Sequence, residues 1–175
     1  WVKLAPNDSY AAICARMDED NEHRGWDFWM QRRQIGMHVI NAWPGRGLKV
    51  VAKSQAPANQ WVHVAVSYDG SGKAAGVKVY YDGAPQQTNV ENDKLDGSIK
   101  TDVPFRIGQR SSGSPFSGGL QDLRIYPRAL TPAEVAALAK STHYANVLAK
   151  PADQRTAEEK KELYRYWLDA FDGQF

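Results

Sequence analysis

The stretch Asn59-Gln60-Trp61-Val62-His63-Val64-Ala65-Val66-Ser67-Tyr68-Asp69-Gly70-Ser71-Gly72, with Val77-Lys78-Val79-Tyr80-Tyr81-Asp82-Gly83 after it, decides the fold. Val62, Val64, Val66 and Tyr68 fall on one side of a period of two, and Trp61, His63, Ala65 and Ser67 on the other. Both sides are largely apolar, the pattern of a central strand covered on both faces. Val77, Val79 and Tyr81 then share one face, with Lys78 and Tyr80 opposite. Asp82-Gly83 follows as a two-residue turn of the kind hairpins favour, because both central positions need a positive φ. An antiparallel β protein is therefore expected.

Outward from this pair the same grammar repeats. Strand-like runs are expected at Trp1–Leu4, Tyr10–Met17, Trp26–Arg32, Ile35–Trp43, Lys49–Ser54, Trp61–Asp69, Val77–Tyr81, Ala84–Asn89, Val103–Gly108 and Gly119–Tyr126. Turn chemistry separates them at Pro6-Asn7-Asp8, Pro44-Gly45-Arg46-Gly47, Asp69-Gly70-Ser71-Gly72 and Asp96-Gly97. Short strands at this spacing predict a sandwich or barrel. The last part of the chain differs. Thr131-Pro132-Ala133-Glu134 has the residues of a capping box, and a short helix is expected through about Lys140, with Val135 and Leu138 inward. Thr156-Ala157-Glu158-Glu159 repeats the logic ahead of Leu163, Tyr164, Trp167, Leu168 and Phe171, an aromatic stripe at helical spacing. Such a stripe should be buried, on the sandwich or on a flanking part of a larger protein. The opposite face mixes Glu with Lys, which disfavours a membrane-surface role.

The 175 residues suffice for one sizeable domain plus an appendage. With 22 basic against 20 acidic residues, scattered along the chain, there is no continuous basic footprint, and a nucleic-acid partner is not expected. No apolar run reaches the length of a membrane span. Cys14 is the single cysteine and lies in the apolar run Ala12-Ile13-Cys14-Ala15, where a buried, inert thiol is expected. Trp1-Val2-Lys3-Leu4 reads as the middle of a strand, so the opening strands of the domain are expected to lie ahead of it.

The quoted stretches, together with Phe105-Arg106-Ile107-Gly108 and Phe116-Ser117-Gly118-Gly119-Leu120-Gln121-Asp122-Leu123-Arg124-Ile125-Tyr126-Pro127-Arg128-Ala129-Leu130, resemble the closing half of a laminin G-like, concanavalin A-like domain. The resemblance implies a jelly-roll sandwich of two antiparallel sheets over residues 1–140, with a connector and amphipathic helix over 141–175. The tail, Pro151-Ala152-Asp153-Gln154-Arg155-Thr156 and the helix after it, is similar to the segment following such domains in large planctomycete proteins that also carry a c-type cytochrome module. Val39-Ile40-Asn41-Ala42-Trp43-Pro44 and Lys49-Val50-Val51 fit the same group. This implies a periplasmic or extracellular location, within a larger exported protein.

The fold family includes glucanases, so hydrolysis has to be weighed. Retaining glycosidases place two carboxylates about 5–5.5 Å apart. None of the seven Glu residues forms such a ladder on an expected strand. His63 lacks a recognisable nucleophile with an orienting acid, and His23 and His38 lack partner spacing. For ligand binding the candidates are Trp26, Trp29, Trp43 and Arg46. Trp26 and Trp29 should face opposite sides of one strand, and Trp43-Pro44-Gly45-Arg46 should put an indole and a guanidinium at a strand end. There they either stack on a sugar or peptide or cover the sandwich edge. Candidate ligands are present for one cation, calcium. Asp18 and Asp20 lie in the acidic loop Asp18-Glu19-Asp20-Asn21-Glu22, and Asp122 in the last strand; the loop is a solvated turn or a set of hard oxygens for that ion. The function expected is non-catalytic: a carbohydrate- or protein-binding accessory module. A structural spacer and, behind it, a glycoside hydrolase are the alternatives.

Overall fold

The computed structural model describes residues 1–171, with side chains described as far as 168. The elements in order are β1 (Val2–Leu4), β2 (Tyr10–Asp18), β3 (Arg24–Gln31), β4 (Gln34–Ala42), β5 (Arg46–Ala52), β6 (Trp61–Val62), β7 (Val64–Tyr68), β8 (Val77–Tyr81), β9 (Ala84–Pro85), β10 (Thr88–Asp93), β11 (Arg106–Ile107), β12 (Gly118–Leu120), α1 (Pro132–Ala149) and α2 (Ala157–Phe171). One layer is a six-stranded sheet in the order β10-β5-β4-β3-β2-β11. The other is divided into two three-stranded pieces, β12-β1-β6 and β7-β8-β9. The pairings within these sheets are antiparallel.

The core lies between the layers. Val2, Leu4, Val62, Val64, Val79 and Tyr81 from the divided layer meet Ala11, Ile13, Met30, Ile35 and Ala52 from the six-stranded sheet. A second cluster joins Val39, Leu48 and Val50 to Val77 and Ala74, with Val66 and Tyr68 packed against it. The valines of the deciding stretch thus point inward, as the alternation requires. The all-β antiparallel sandwich with helices toward its C-terminal end is the observed fold.

Register explains most differences from the expected strands. The run 61–69 is not one central strand: Trp61 and Val62 pair with β1, while Val64–Tyr68 pair with β8. The ladder breaks at His63, whose backbone N–H donates to the Asp82 carboxylate and whose carbonyl accepts from the Asp82 N–H. The run 84–89 divides between β9 and β10 in the same manner, because each half has a different partner. From 103–108 only Arg106 and Ile107 find a ladder, and from 119–126 only the stretch ending at Leu120 does.

The β8–β9 turn forms as expected, with φ of 46° at Asp82 and 80° at Gly83. Gly83 also seats α1. A Cβ built on it would lie 2.8 Å from the Ala136 Cα. Helix α1 begins with a complete capping box, Thr131 accepting from the Glu134 N–H and the Glu134 carboxylate accepting from the Thr131 N–H. Hydrogen bonds from Arg128 and from Thr131 hold that carboxyl down at about 2. The helix buries Val135, runs on past Lys140 to Ala149, and stops where Pro151 disfavours a helical residue before it.

Helix α2 folds back on α1. Tyr166 stacks on Tyr144 with centroids 4.2 Å apart, and His143 pairs with Glu162. The stripe expected to be buried is covered only in part: Leu163 and Leu168 are half-buried, while Tyr164 and Trp167 are exposed and stack on each other. The Phe171 side chain lies outside the described residues.

Candidate functional site

The face of the six-stranded sheet turned away from the core carries a cluster of rings and charges. Its geometry follows from one tight turn. Arg32 and Arg33 both have positive φ (50° and 62°) and close the β3–β4 hairpin with Gln31 opposite Gln34. That register sets Asp27 opposite His38. Ala15 on β2 flanks Asp27, and Lys49 on β5 flanks His38, so the four form one row across the sheet. In the next same-facing row Ala12, Trp29, Gly36 and Val51 stand side by side.

Asp27 is 0 % exposed, yet its carboxylate is fully engaged. Oδ1 accepts from the His38 backbone N–H at 3.2 Å and lies 2.8 Å from His38 Nδ1. Oδ2 accepts from Arg110 Nε at 2.8 Å and Nη2 at 2.7 Å. Burial alone would raise the Asp27 pKa, but His38 and Arg110 outweigh it and hold the group below the usual carboxylate range. Arg110 comes from the loop after β11 and lies 4.3 Å over the Trp29 ring. Glu19, 3.8 Å from Arg110, accepts from the N–H groups of Ser112 and Gly113 and from the Ser112 hydroxyl. Those bonds overcome its own partial burial and depress its pKa too.

Aromatic rings surround this polar centre. Trp29 and Trp43 both meet His38 edge-on, at 5.2 and 5.6 Å between centroids. Tyr10, 52 % exposed, tilts against Trp29 at 5.9 Å. The Trp29 Nε1–H is buried without a hydrogen-bond partner. Along the rim, Glu91 accepts from Gln31 and pairs with Lys49, both at 2.7 Å.

The residues expected from sequence are divided by this geometry. Trp29 and Trp43 come together around His38. Trp26 lies on the other face of β3, tilted against Phe105 at 5.9 Å. Arg46 is exposed at the start of β5, outside the cluster. Asp18 ends β2 and Asp20 is exposed in the following turn, while the acid of that loop with the most partners is Glu19. Asp122 forms a two-pronged pair with Arg124, at 2.7 and 2.8 Å. Among the described residues no three His, Cys, Asp or Glu side chains converge as a metal-holding group. Cys14 is buried, and burial, with the Asp27 charge next in weight, pushes its thiol up to about 12.

Asp27, Arg110 and Tyr10 carry no site reading in the sequence, Glu19 enters it only as part of the acidic loop, and His38, expected to lack a partner, is corrected by its pair with Asp27. A polar Asp between Trp26 and Phe28, in a strand that also bears Trp29, was the available signal.

A sequence model of the family described as the concanavalin A-like lectin/glucanases superfamily matches residues 1–136. No curated protein matches the chain significantly. Solved structures do, among them a domain of an S-layer domain-containing protein from Clostridium thermocellum, 22% identical, with a TM-score of 0.37. The match covers 79% of this chain and 66% of that one, a little under two thirds of its length.

Proposed function

We propose that this chain, which belongs to the concanavalin A-like lectin/glucanases superfamily, is a non-catalytic recognition module that binds carbohydrate on the outer face of its six-stranded sheet. The observation that carries this reading is the ring cluster of Tyr10, Trp29 and Trp43 around the buried Asp27–His38–Arg110 network. Aromatic rings offer flat apolar surface to the C–H faces of a sugar, and a few fixed polar groups orient it. Tyr10 and the half-buried Trp43 are the accessible rings, with Lys49, Glu91 and Gln31 supplying rim hydrogen bonds. The ion-paired centre beneath them is a stiff floor.

The charges argue against hydrolysis. A glycosidase needs one carboxyl held protonated, with its pKa raised, opposite an ionised one. Asp27, Glu19 and Glu91, the acids on and beside this face, are all shifted down. Each is tied to a cation or a set of donors, which suits a binding surface better than proton transfer. The module's place within a larger exported protein, outside the cytoplasm, belongs to the same proposal.

The test is a glycan array probed with the chain with and without calcium, followed by calorimetry on any ligand found. Tyr10→Ala or Trp43→Ala should weaken binding by about tenfold each, the scale of one lost ring contact. Absence of binding under both conditions, or binding unaffected by either substitution, refutes the reading. New reducing ends released from a bound glycan would replace it with hydrolysis.

A further inference from the structure

The row of the outer face that holds Asp27 and His38 has a fifth member. Arg106 on β11 lies opposite Ala15, so its side chain shares the face of Asp27, two strands away and about 10 Å at the backbone. The methyl of Ala15 is all that the row places between them. Along this row the charges are matched with one exception. Lys49 pairs with Glu91, His38 with Asp27, and Arg110, reaching in from its loop, with Asp27 and Glu19. Arg106 is half-buried, and its guanidinium has no hydrogen bond or ion pair among the described residues.

Hydrogen-bond accounting sharpens the exception. The Nε–H of Arg106 is buried without an acceptor, and so is the Nε1–H of Trp29 in the adjoining row. Both are donors. The carboxylates of the same face are already committed. Asp27 serves His38 with Oδ1 and Arg110 with Oδ2, and Glu91 serves Gln31 and Lys49. Glu19 Oε2 accepts from three donors of Ser112 and Gly113. A buried donor left unpaired is costly, and these acids have no oxygen to spare for it. The missing partner is therefore an acceptor brought from outside. For a guanidinium the best match is an anion that can take two parallel N–H groups.

We infer that Arg106 is a ligand-binding residue and that the glycan taken by the outer face is acidic, presenting a carboxylate or sulfate to its guanidinium. The inference rests on the carbohydrate reading given above and narrows it. Tyr10 and Trp43 offer the accessible ring faces, while Arg106 stands on the terminal strand of the six-stranded sheet and takes the charged substituent. Since the other cations of the row are neutralised by acids of the chain itself, the face selects its ligand by this one charge. A neutral sugar in the same place supplies no anion, and the two forms are told apart by the guanidinium alone.

The test is calorimetry on the whole chain with the ligands it takes from an array of acidic and neutral oligosaccharides. Each acidic ligand is compared with its own uncharged form, methyl-esterified where the anion is a carboxylate and desulfated where it is a sulfate, which also separates the two anions. The charged form should bind tighter by roughly tenfold or more, the scale of one charge-assisted fork. Arg106→Gln should abolish that difference, with thermal melts showing that the variant folds. Should it not fold, Arg106→Lys, which keeps the charge but not the fork, should still reduce the difference. Arg16→Gln removes an exposed cation from the other face of β2 and should leave the difference intact. Binding confined to neutral glycans, a difference that survives substitution of Arg106, or an equal loss in Arg16→Gln overturns the inference while the carbohydrate reading stands. If no glycan binds, both fall together.

Discussion

Asp27→Asn removes one charge from the centre of the outer face while hardly changing volume. The native carboxylate serves Arg110 with one oxygen and His38 with the other. An asparagine offers a single acceptor oxygen, so one of the two must lose its bond and face the amide N–H₂ instead. Breaking a buried pair from one side costs about 3–5 kcal/mol. Here Arg110 keeps Glu19 at 3.8 Å and the Trp29 ring at 4.3 Å, so the lower end applies, about 3 kcal/mol. For a chain of this size that lowers the melting temperature by about 6–12 °C. Urea melts followed by tryptophan fluorescence would measure it, alongside Arg110→Met and the double variant. The double variant should lose less than the sum of the singles, because it leaves no unpaired buried charge. A loss below about 1 kcal/mol for Asp27→Asn, or strict additivity in the cycle, would refute the view that this network is a tightly coupled unit.

Two further outcomes follow from the same contacts. Asp27 and Glu19 both have depressed pKa values in the folded chain. Their stabilising contribution is therefore complete above the ordinary carboxylate range and is lost as the pH falls from about 4 through their folded values. Urea midpoints measured from pH 7 to pH 2 should drop along that limb, and the drop should be shallower in Asp27→Asn; an identical slope would contradict the assignment. Tyr81→Phe removes a hydroxyl that donates to the Ser54 carbonyl and accepts from the buried Ile35 N–H, each at 3.0 Å. It should cost about 1–3 kcal/mol by urea denaturation, since the Ile35 N–H is left unpaired; a neutral result would show that the N–H finds another acceptor.

The fold was legible because the stretch around Trp61 and Val77 states its period and its turn within a few residues. Local pattern, however, says nothing about partners. The break at His63 arises because β1 and β8 claim different parts of one apolar run, and neither claim is visible in the run itself. The site was legible only halfway. Trp29 and Trp43 could be picked by residue type, but Arg110 reaches Asp27 across 83 positions and Glu19 reaches Gly113 across 94. Both come through a Gly/Ser-rich loop that looks like plain connector. His38 was nearer to hand. Once Gln31 is set opposite Gln34, counting back along both strands brings Asp27 to His38. Doing so requires Arg32-Arg33 to be read as a turn, and two arginines at positive φ give no such cue.

Gly83 satisfies two demands with one hydrogen atom: the sign of its φ lets the β8–β9 chain reverse, and its missing methyl lets α1 lie against the reversal. The berth of the helix is therefore part of the closed hairpin. Damage at that corner should register first as a loosened helix, several residues from where the change was made. The helical tail is in this sense a gauge of the sandwich it leans on.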